Sequence, residues 1–296
     1  MTSTPAPALG LLLDVDGPVA SPVTRSINIP AITRDLVTLA GRGIPVVFNT
    51  GRSDAFIREE VVGPMIAAGL PAGARVHGIC EKGAVWFSIG PQFGASGIGE
   101  VSVDRSLSVP ADYKVEMEQL VTERFADVVF FDRTKHAMVS VEQLTSIDGD
   151  RYLRDVQPAF DELAMAAFTR RGLGVRRRDD ERPDARGDVQ WRVDPTIIST
   201  DVESVLLGKD LGARRALELL RADGELPLSW RTVGDSRSDY AMADWLDEQG
   251  HDVAHVDVRP DEGVPDRPYP VLTSETGAIH DEAGAEFFAR WVRETA

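Results

Sequence analysis

The chain has 296 residues, 43% of them hydrophobic, a formal net charge of −16 and one cysteine, Cys80. That length supplies one large or two ordinary domains with ample core. No apolar run approaches the ~20 residues of a membrane span, and a lone cysteine excludes an internal disulfide framework and a thiolate metal cluster. The charge argues against a general nucleic-acid binder, because phosphate backbones would be repelled, but not against a small anion that senses a local pocket. The opening Met1-Thr2-Ser3-Thr4-Pro5-Ala6-Pro7 lacks the charged and apolar regions of a signal peptide, so a cytoplasmic protein is expected. Only four of the 32 basic residues are lysines: Lys82, Lys114, Lys135 and Lys209.

In chain order, Ala8–Val15 reads as a buried parallel strand, an apolar run that ends in Asp14-Val15-Asp16-Gly17. Strand alternation points Asp14 and Asp16 the same way. Pro30 suits a first helical turn, and Ile32, Leu36, Leu39 and Ala40 follow at helical spacing until Gly41-Arg42-Gly43 stops the helix. Ile44–Phe48 is a second strand leading into Asn49-Thr50-Gly51-Arg52, with Ser53 as N-cap of a helix to about Ala68. This βαβα order implies a parallel sheet with right-handed crossovers.

From about Gly83 the texture changes. Strand-like pieces (Ala84–Ile89, Val128–Phe131, Ala137–Val141) mix with polar helical stretches and loops such as Gly90–Gly99, and the charge-dense Arg176–Arg186 reads as a solvated loop. The first pattern then returns. Lys209–Arg221 is a helix with Ala213, Ala216, Leu217 and Leu220 on one face. Trp230–Val233 is a strand ending in Gly234-Asp235, Arg237–Gln249 a helix, and Val253–Val258 a strand. A Pro-rich loop over Pro260–Pro270 and a helix at Ala283–Arg293 close the chain. The expected architecture is one α/β domain (1–82 and 193–296) interrupted by an α+β module (83–192).

Four polar clusters lie in the α/β parts: Asp14 with Asp16, Thr50-Gly51-Arg52, Lys209, and Gly234-Asp235 with Asp239. Three follow apolar strands directly, and ligands of open parallel sheets bind outside the carboxyl ends of the strands. Taken singly, each is an ordinary turn, capping acid or surface lysine. Together they hold what phosphoryl transfer needs. Asp14 is a candidate nucleophile and Asp16 a candidate acid and base. Asp14, a carbonyl near Asp16, and Asp235 are hard oxygen ligands suited to Mg²⁺. Thr50 and Lys209 can hold the phosphoryl oxygens.

These clusters resemble the motifs of the haloacid-dehalogenase-like phosphatase superfamily. Asp14-Val15-Asp16-Gly17 is similar to its first motif, Asn49-Thr50-Gly51-Arg52 to the second, Lys209 to the third, and Gly234-Asp235 with Asp239 to the fourth. The interval from Asp14 to Thr50 is too short for an inserted domain, whereas that from Thr50 to Lys209 is long. Glu81-Lys82-Gly83-Ala84 and Gly208-Lys209-Asp210-Leu211-Gly212 resemble the Cof-type branch, which includes sugar-phosphate phosphatases and phosphomannomutases. The resemblance implies a Rossmann-like core with a cap inserted after the second motif. It implies Mg²⁺ held at Asp14, Asp16, Asp235 and Asp239, and a small phosphorylated metabolite, a sugar or polyol phosphate, bound with help from Gly51, Arg52, Glu81 and Lys82. A monomer or homodimer that engages neither nucleic acid nor membrane is expected.

The sequence departs from the family pattern at Pro18, at Ser238, where asparagine is common, and at Lys82, which replaces the asparagine of the pre-cap motif. His136, the Arg176-Arg177-Arg178 run, Trp86 and Trp191 are further candidates for substrate contact, each with an ordinary structural alternative. A sugar phosphomutase would use the same two acids, and a catalytically silent sugar-phosphate binder would need no general acid.

Overall fold

The computed structural model describes residues 6–296, so residues 1–5 of the stretch read for a leader lie outside the described part. Along the chain the strands are β1 (Gly10–Leu13), β2 (Val46–Asn49), β3 (Val76–Cys80), β4 (Val85–Ile89), β5 (Ser102–Val103), β6 (Val129–Phe131) and β7 (Val139–Gln143). They continue as β8 (Val175–Arg177), β9 (Asp180–Arg182), β10 (Trp191–Pro195), β11 (Ser199–Ser204), β12 (Ser229–Gly234), β13 (Asp252–Asp257) and β14 (Val271–Leu272). The helices are α1 (Pro30–Gly41), α2 (Asp54–Ile57), α3 (Gly63–Ala67), α4 (Ala111–Arg124), α5 (Gly149–Arg151), α6 (Gln157–Arg170), α7 (Lys209–Asp223), α8 (Tyr240–Glu248) and α9 (His280–Glu294). The chain divides into two compact units: residues up to Ser102 together with Gly208–Ala296, and Val103–Leu207.

The first unit carries an eight-stranded sheet in the order β14-β13-β12-β1-β2-β3-β4-β5. It is parallel from β14 to β3, and β4 turns back antiparallel on β3. The chain fills the sheet outward from β1, first toward β2 and β3, later toward β12 and β13. That reversal creates a switch point beside β1, where an open parallel sheet leaves a crevice for a ligand. Leu11, Leu12 and Leu13 are fully buried, as a central strand requires. On one face, Ala213, Ala216, Leu217 and Leu220 of α7 pack with Leu12, Val47, Ile79 and Trp230. The helix expected after Ser53 runs from α2 to α3 through a π-helical turn at Arg58–Val62, and Ser53 Oγ accepts from Phe56 N at 3.3 Å as its cap.

The second unit is a six-stranded sheet, β6-β7-β11-β10-β8-β9. Val139, Val141, Val175, Val193 and Val202 line up on one face, against Tyr113 and Met117 of α4 and Phe160, Ala164 and Phe168 of α6. Its limits differ from the expected 83–192. β4 continues the first unit's sheet through its pairing with β3, and the β10–β11 hairpin belongs wholly to the second sheet. The charged Arg176–Arg186 stretch is not a plain loop either. β8 and β9 form an antiparallel hairpin there, and β9, Asp180-Glu181-Arg182, is an edge strand of charged residues only, which discourages further pairing. Trp191 stacks on Phe168 (5.4 Å between centroids), which stacks on Tyr113 (3.9 Å), so it serves the core. Among the described residues no helix is long and apolar enough to cross a membrane.

Asp161 is buried beneath this sheet, 3% exposed. It accepts from Thr200 Oγ at 2.8 Å and lies 3.8 Å from Arg177 Nη1. Burial outweighs these partners and pushes its carboxyl up to about 6. The folded form therefore holds a proton that the unfolded chain releases near pH 4, and stability falls as pH rises through that window. Relative to Asp161→Asn, the wild-type protein should gain about 2 kcal/mol of unfolding free energy between pH 7.5 and pH 4.5. Urea denaturation at both pH values reads this directly, and equal changes in the two proteins would contradict it.

Candidate active site

Three strands deliver their next residues to one place. β1 lies between β12 and β2, with Leu13 paired to Val233 on one side and Phe48 on the other. Asp14, Asn49-Thr50 and Asp235 therefore emerge together at the carboxyl edge. Asp14 N continues the ladder to Val233 O (2.8 Å) and Thr50 N bonds Ile79 O (2.9 Å), so each side chain leaves a backbone already anchored.

Lys209, the first residue of α7, reaches into this edge. Its Nζ lies 2.7 Å from Asp14 Oδ1 and 2.5 Å from Asp239 Oδ1, and donates to Asn49 O at 2.9 Å. Asn49 returns the contact: its Nδ2 donates to Lys209 O at 2.9 Å. Its amide lies so close that a Cβ on Gly212 would sit 2.0 Å from Asn49 Oδ1. All four side chains are buried. Burial opposes the ammonium, but the two carboxylates dominate and raise the Lys209 pKa above its usual range.

Asp14 and Asp239 share that one cation unequally. Burial works against charge on Asp239, yet Lys209 together with bonds from Ser236 Oγ (2.7 Å), Ser236 N (3.0 Å) and Asp235 N (3.2 Å) holds its carboxyl below the usual range. Burial and the neighbouring Asp239 charge push Asp14 well above it. The same two causes raise Asp235 to about 6. One oxygen from each of Asp14, Asp235 and Asp239 lies within 4.8 Å of the others. Three hard donors in one buried place, two with proton affinity raised by burial and mutual repulsion, fit a divalent cation such as Mg²⁺, whose charge would relieve that repulsion.

The fourth expected ligand behaves differently. The Asp16 carboxylate is gripped by Arg52, Nε to Oδ2 at 2.9 Å and Nη2 to Oδ1 at 2.7 Å, and stands outside the three-carboxylate cluster. Arg52 stacks over Phe56, 4.7 Å from its centroid. Gly17 (φ +96) turns the chain directly after Asp16. Its backbone is left-handed, and a Cβ there would come within 2.7 Å of Asp235 Cβ. Pro18 is buried, and its carbonyl lies where a Cβ on Gly284 of α9 would be, at 2.0 Å.

Thr50 is buried, and its Oγ1 accepts from Arg52 N at 3.1 Å. Glu81 and Lys82 lie beside the same turn: Glu81 N donates to Arg52 O (3.1 Å) and Lys82 N to Thr50 O (3.0 Å). Both have left-handed backbones, φ 49 and 54, a conformation that costs roughly 1–3 kcal/mol for each non-glycine residue. Gly51 lies under the Lys82 stem, with Lys82 Cε 3.7 Å from the place of a Cβ.

Other sequence candidates have structural duties. Trp86 packs against the α7 core, with Arg215 over its ring at 4.3 Å. Arg177 faces Asp161 and Arg176 faces Glu181 at 3.9 Å. Ser238 bonds Ser236 Oγ at 2.9 Å, and it is Ser236 that reaches Asp239. His136 lies exposed in a bend before β7.

Sequence reasoning missed Asn49 as the tie between β2 and α7, although a buried amide ending an apolar run was a visible signal. It also missed Arg259, whose Nε donates to Asp235 O at 3.0 Å, and His280, 3.6 Å from Asp235 Oδ2. No local pattern marks either.

No family model matches the chain, and no curated protein sequence matches it. Solved structures do. The C-terminal domain of trehalose-6-phosphate phosphatase from C. albicans superposes with a TM-score of 0.62 at 13% identity, covering 98% of this chain and 94% of that one. A haloacid dehalogenase-like hydrolase from Bacteroides thetaiotaomicron gives 0.56 at 11% identity over 95% and 98%. Trehalose-6-phosphate phosphatase from Aspergillus fumigatus gives 0.50 at 15% over 97% and 94%. The chain has the haloacid-dehalogenase-like fold, an α/β core with an inserted α+β cap.

Removing the ammonium while keeping its stem should strand two buried carboxylates. Lys209→Met is expected to lower the unfolding free energy by about 3–5 kcal/mol at pH 8. The loss should shrink at pH 5, where Asp14 accepts a proton more readily than an ordinary carboxylate. Chemical denaturation at the two pH values measures both effects.

Proposed function

We propose that this chain is a cytoplasmic, Mg²⁺-dependent phosphatase that hydrolyses a small phosphorylated metabolite, a sugar or polyol phosphate, through an aspartyl-phosphate on Asp14. The observation that carries this reading is the buried Asp14–Lys209–Asp239 arrangement at the sheet's switch point, with a second carboxylate, Asp16, two residues away in a different electrostatic setting. The fold is shared with two trehalose-6-phosphate phosphatases, which supports a sugar phosphate as the substrate class.

Mg²⁺ held by Asp14, Asp235 and Asp239 would offset the charge of the phosphoryl oxygens and keep the Asp14 carboxylate ionised. The chain's own residues do the rest. A carboxylate oxygen of Asp14 attacks phosphorus as the bond to the leaving oxygen breaks, and Asp16 gives that oxygen a proton. Water then attacks the acyl phosphate, Asp16 takes the proton back, the phosphorus–Asp14 bond breaks, and inorganic phosphate leaves. Lys209 stays beside Asp14 throughout and, with Thr50, meets charge on the phosphoryl oxygens.

Asp16 must leave the Arg52 fork to carry a proton. The released guanidinium then becomes a donor at the mouth of the same turn, so Arg52 holds the acid when no substrate is present and meets substrate oxygens when it is.

Phosphate release from glucose 6-phosphate and a panel of polyol phosphates tests the reading. Asp14→Asn and chelation should each reduce release by at least about 10³-fold, with added Mg²⁺ restoring only the chelated protein. Release that survives both treatments would refute the mechanism, and sugar phosphate isomerised without net phosphate release would make the protein a mutase. Arg52→Ala should lower kcat/KM about 10-fold or more, since Asp16 loses the fork that positions it and the substrate loses a donor.

A further inference from the structure

The first residue of α9, His280, has a left-handed backbone (φ 52), a conformation that outside glycine is found mainly at asparagine, aspartate and histidine. Backbone bonds hold it there. Its N donates to Val258 O at 2.7 Å, and Val258 N donates to Gly234 O at 3.0 Å. His280 is thus tied, through one residue at the end of β13, to the glycine that precedes Asp235. One turn further on, Gly284 lies on the same face of α9 and packs on Pro18, whose carbonyl would stand 2.0 Å from a Cβ there. The end of β13 and the turn after Asp16 therefore locate the start of α9 from two sides.

This placement brings His280 Nδ1 to 3.6 Å from Asp235 Oδ2. The nitrogen is buried and has no hydrogen-bond partner among the described residues, and 3.6 Å is itself beyond hydrogen-bond reach. Burial, with Arg259 nearby, holds the imidazole below its ordinary range, so the ring is neutral at pH 7 and one of its nitrogens carries a proton. His280 stands outside the group of Asp14, Asp235 and Asp239, whose oxygens lie within 4.8 Å of one another. It can therefore act on the direction of the Asp235 carboxylate rather than serve as a fourth ligand.

We infer that His280 is a positioning residue that sets which cation the site accepts: its Nδ1–H donates to Asp235 Oδ2 and turns the carboxylate to offer one oxygen to a bound ion. This rests on the cation reading above. Closing the gap takes about half an ångström, within reach of a small side-chain rotation. Mg²⁺ requires near-ideal octahedral geometry, whereas Ca²⁺ takes carboxylates through one oxygen or two in irregular shells. A carboxylate free to swing suits Ca²⁺, and one held by a donor suits Mg²⁺. The neutral ring orients Asp235 without opposing the ion, which a lysine or arginine in its place would do.

Cation binding to the substrate-free protein tests this without turnover. Mn²⁺ binding is followed by the paramagnetic resonance of the free ion, and Mg²⁺ and Ca²⁺ by displacement of Mn²⁺. His280→Ala should weaken Mn²⁺ and Mg²⁺ binding about 10- to 100-fold and Ca²⁺ binding less than about 3-fold. His280→Asn should keep most of the preference for Mg²⁺, because its Nδ2 is as many bonds from Cα as Nδ1 and asparagine tolerates the left-handed backbone. His280→Gly suits that backbone without a side chain. It should melt cooperatively and still lose the preference, which separates a lost donor from a lost fold. An unchanged ratio of Mg²⁺ to Ca²⁺ affinity in His280→Ala and His280→Gly, while Asp235→Asn abolishes binding, would overturn the role of His280 alone. So would an equal loss of all three cations, since His280 would then only support the local fold. Wild-type Mn²⁺ binding that survives Asp235→Asn would overturn the three-carboxylate reading and the role of His280 with it.

Discussion

One ammonium between two buried carboxylates is the constraint on which the rest of the core depends. Lys209 comes from the start of α7, Asp14 from the end of β1 and Asp239 from the turn that opens α8. Three elements far apart in the chain are thereby fixed to one point. Burying such charges without pairing them would cost several kcal/mol each, so sheet register and helix position must agree closely. The small residues around the cluster enforce that agreement. Gly212 admits Asn49, Gly234 admits Asp239 (a Cβ there would lie 2.1 Å from Asp239 Cβ), and Gly17 admits Asp235.

The same geometry separates two acids only two residues apart. Asp14 sits in a buried, cation-poor balance in which one ammonium serves two carboxylates. Asp16 is held by the Arg52 fork and keeps some exposure. Pairs of carboxylates in contrasting environments are how a single edge of a protein supplies a nucleophile and a proton carrier together. Directly after Asp16 the left-handed Gly17 turns the chain, with Gly17 N bonded to Ala20 O at 2.9 Å. Pro18 fits this turn because no hydrogen bond is asked of its nitrogen, and its carbonyl is received by Gly284.

What could be read from the sequence was whatever depends on local pattern. Leu11-Leu12-Leu13 announces a buried strand, and Asp14, Thr50 and Asp235 follow such runs directly, so their meeting at one edge follows from parallel topology. Lys209 and Asp239 were legible as types of residue, but their shared contact depends on how α7 lies against β2, which Asn49 and Gly212 settle over a long sequence separation. The Asp16–Arg52 fork was hidden for the same reason. So was the β8–β9 hairpin: Arg176 to Arg182 looks like a solvated loop by composition, and only a neighbouring strand, β10, gives it a place in a sheet. The limits of the inserted unit slipped because β4 is sheet-like whichever unit claims it, and its antiparallel partner β3 decides the matter.

The choice of lysine carries its own information in a chain that otherwise uses arginine for its cations. Many of those arginines form exposed or half-exposed ion pairs, such as Arg182 with Glu162, where a planar fork meets a carboxylate edge on. The Lys209 position cannot use that geometry. Its partners are oxygens of two different carboxylates and a backbone carbonyl, which surround a point rather than face a plane. A compact ammonium with three rotatable donors satisfies all three. At Arg52 the opposite holds: a single carboxylate is held flat, and the fork does that. The two cations are therefore not interchangeable, and their chemical difference tracks the different settings of the two acids they hold.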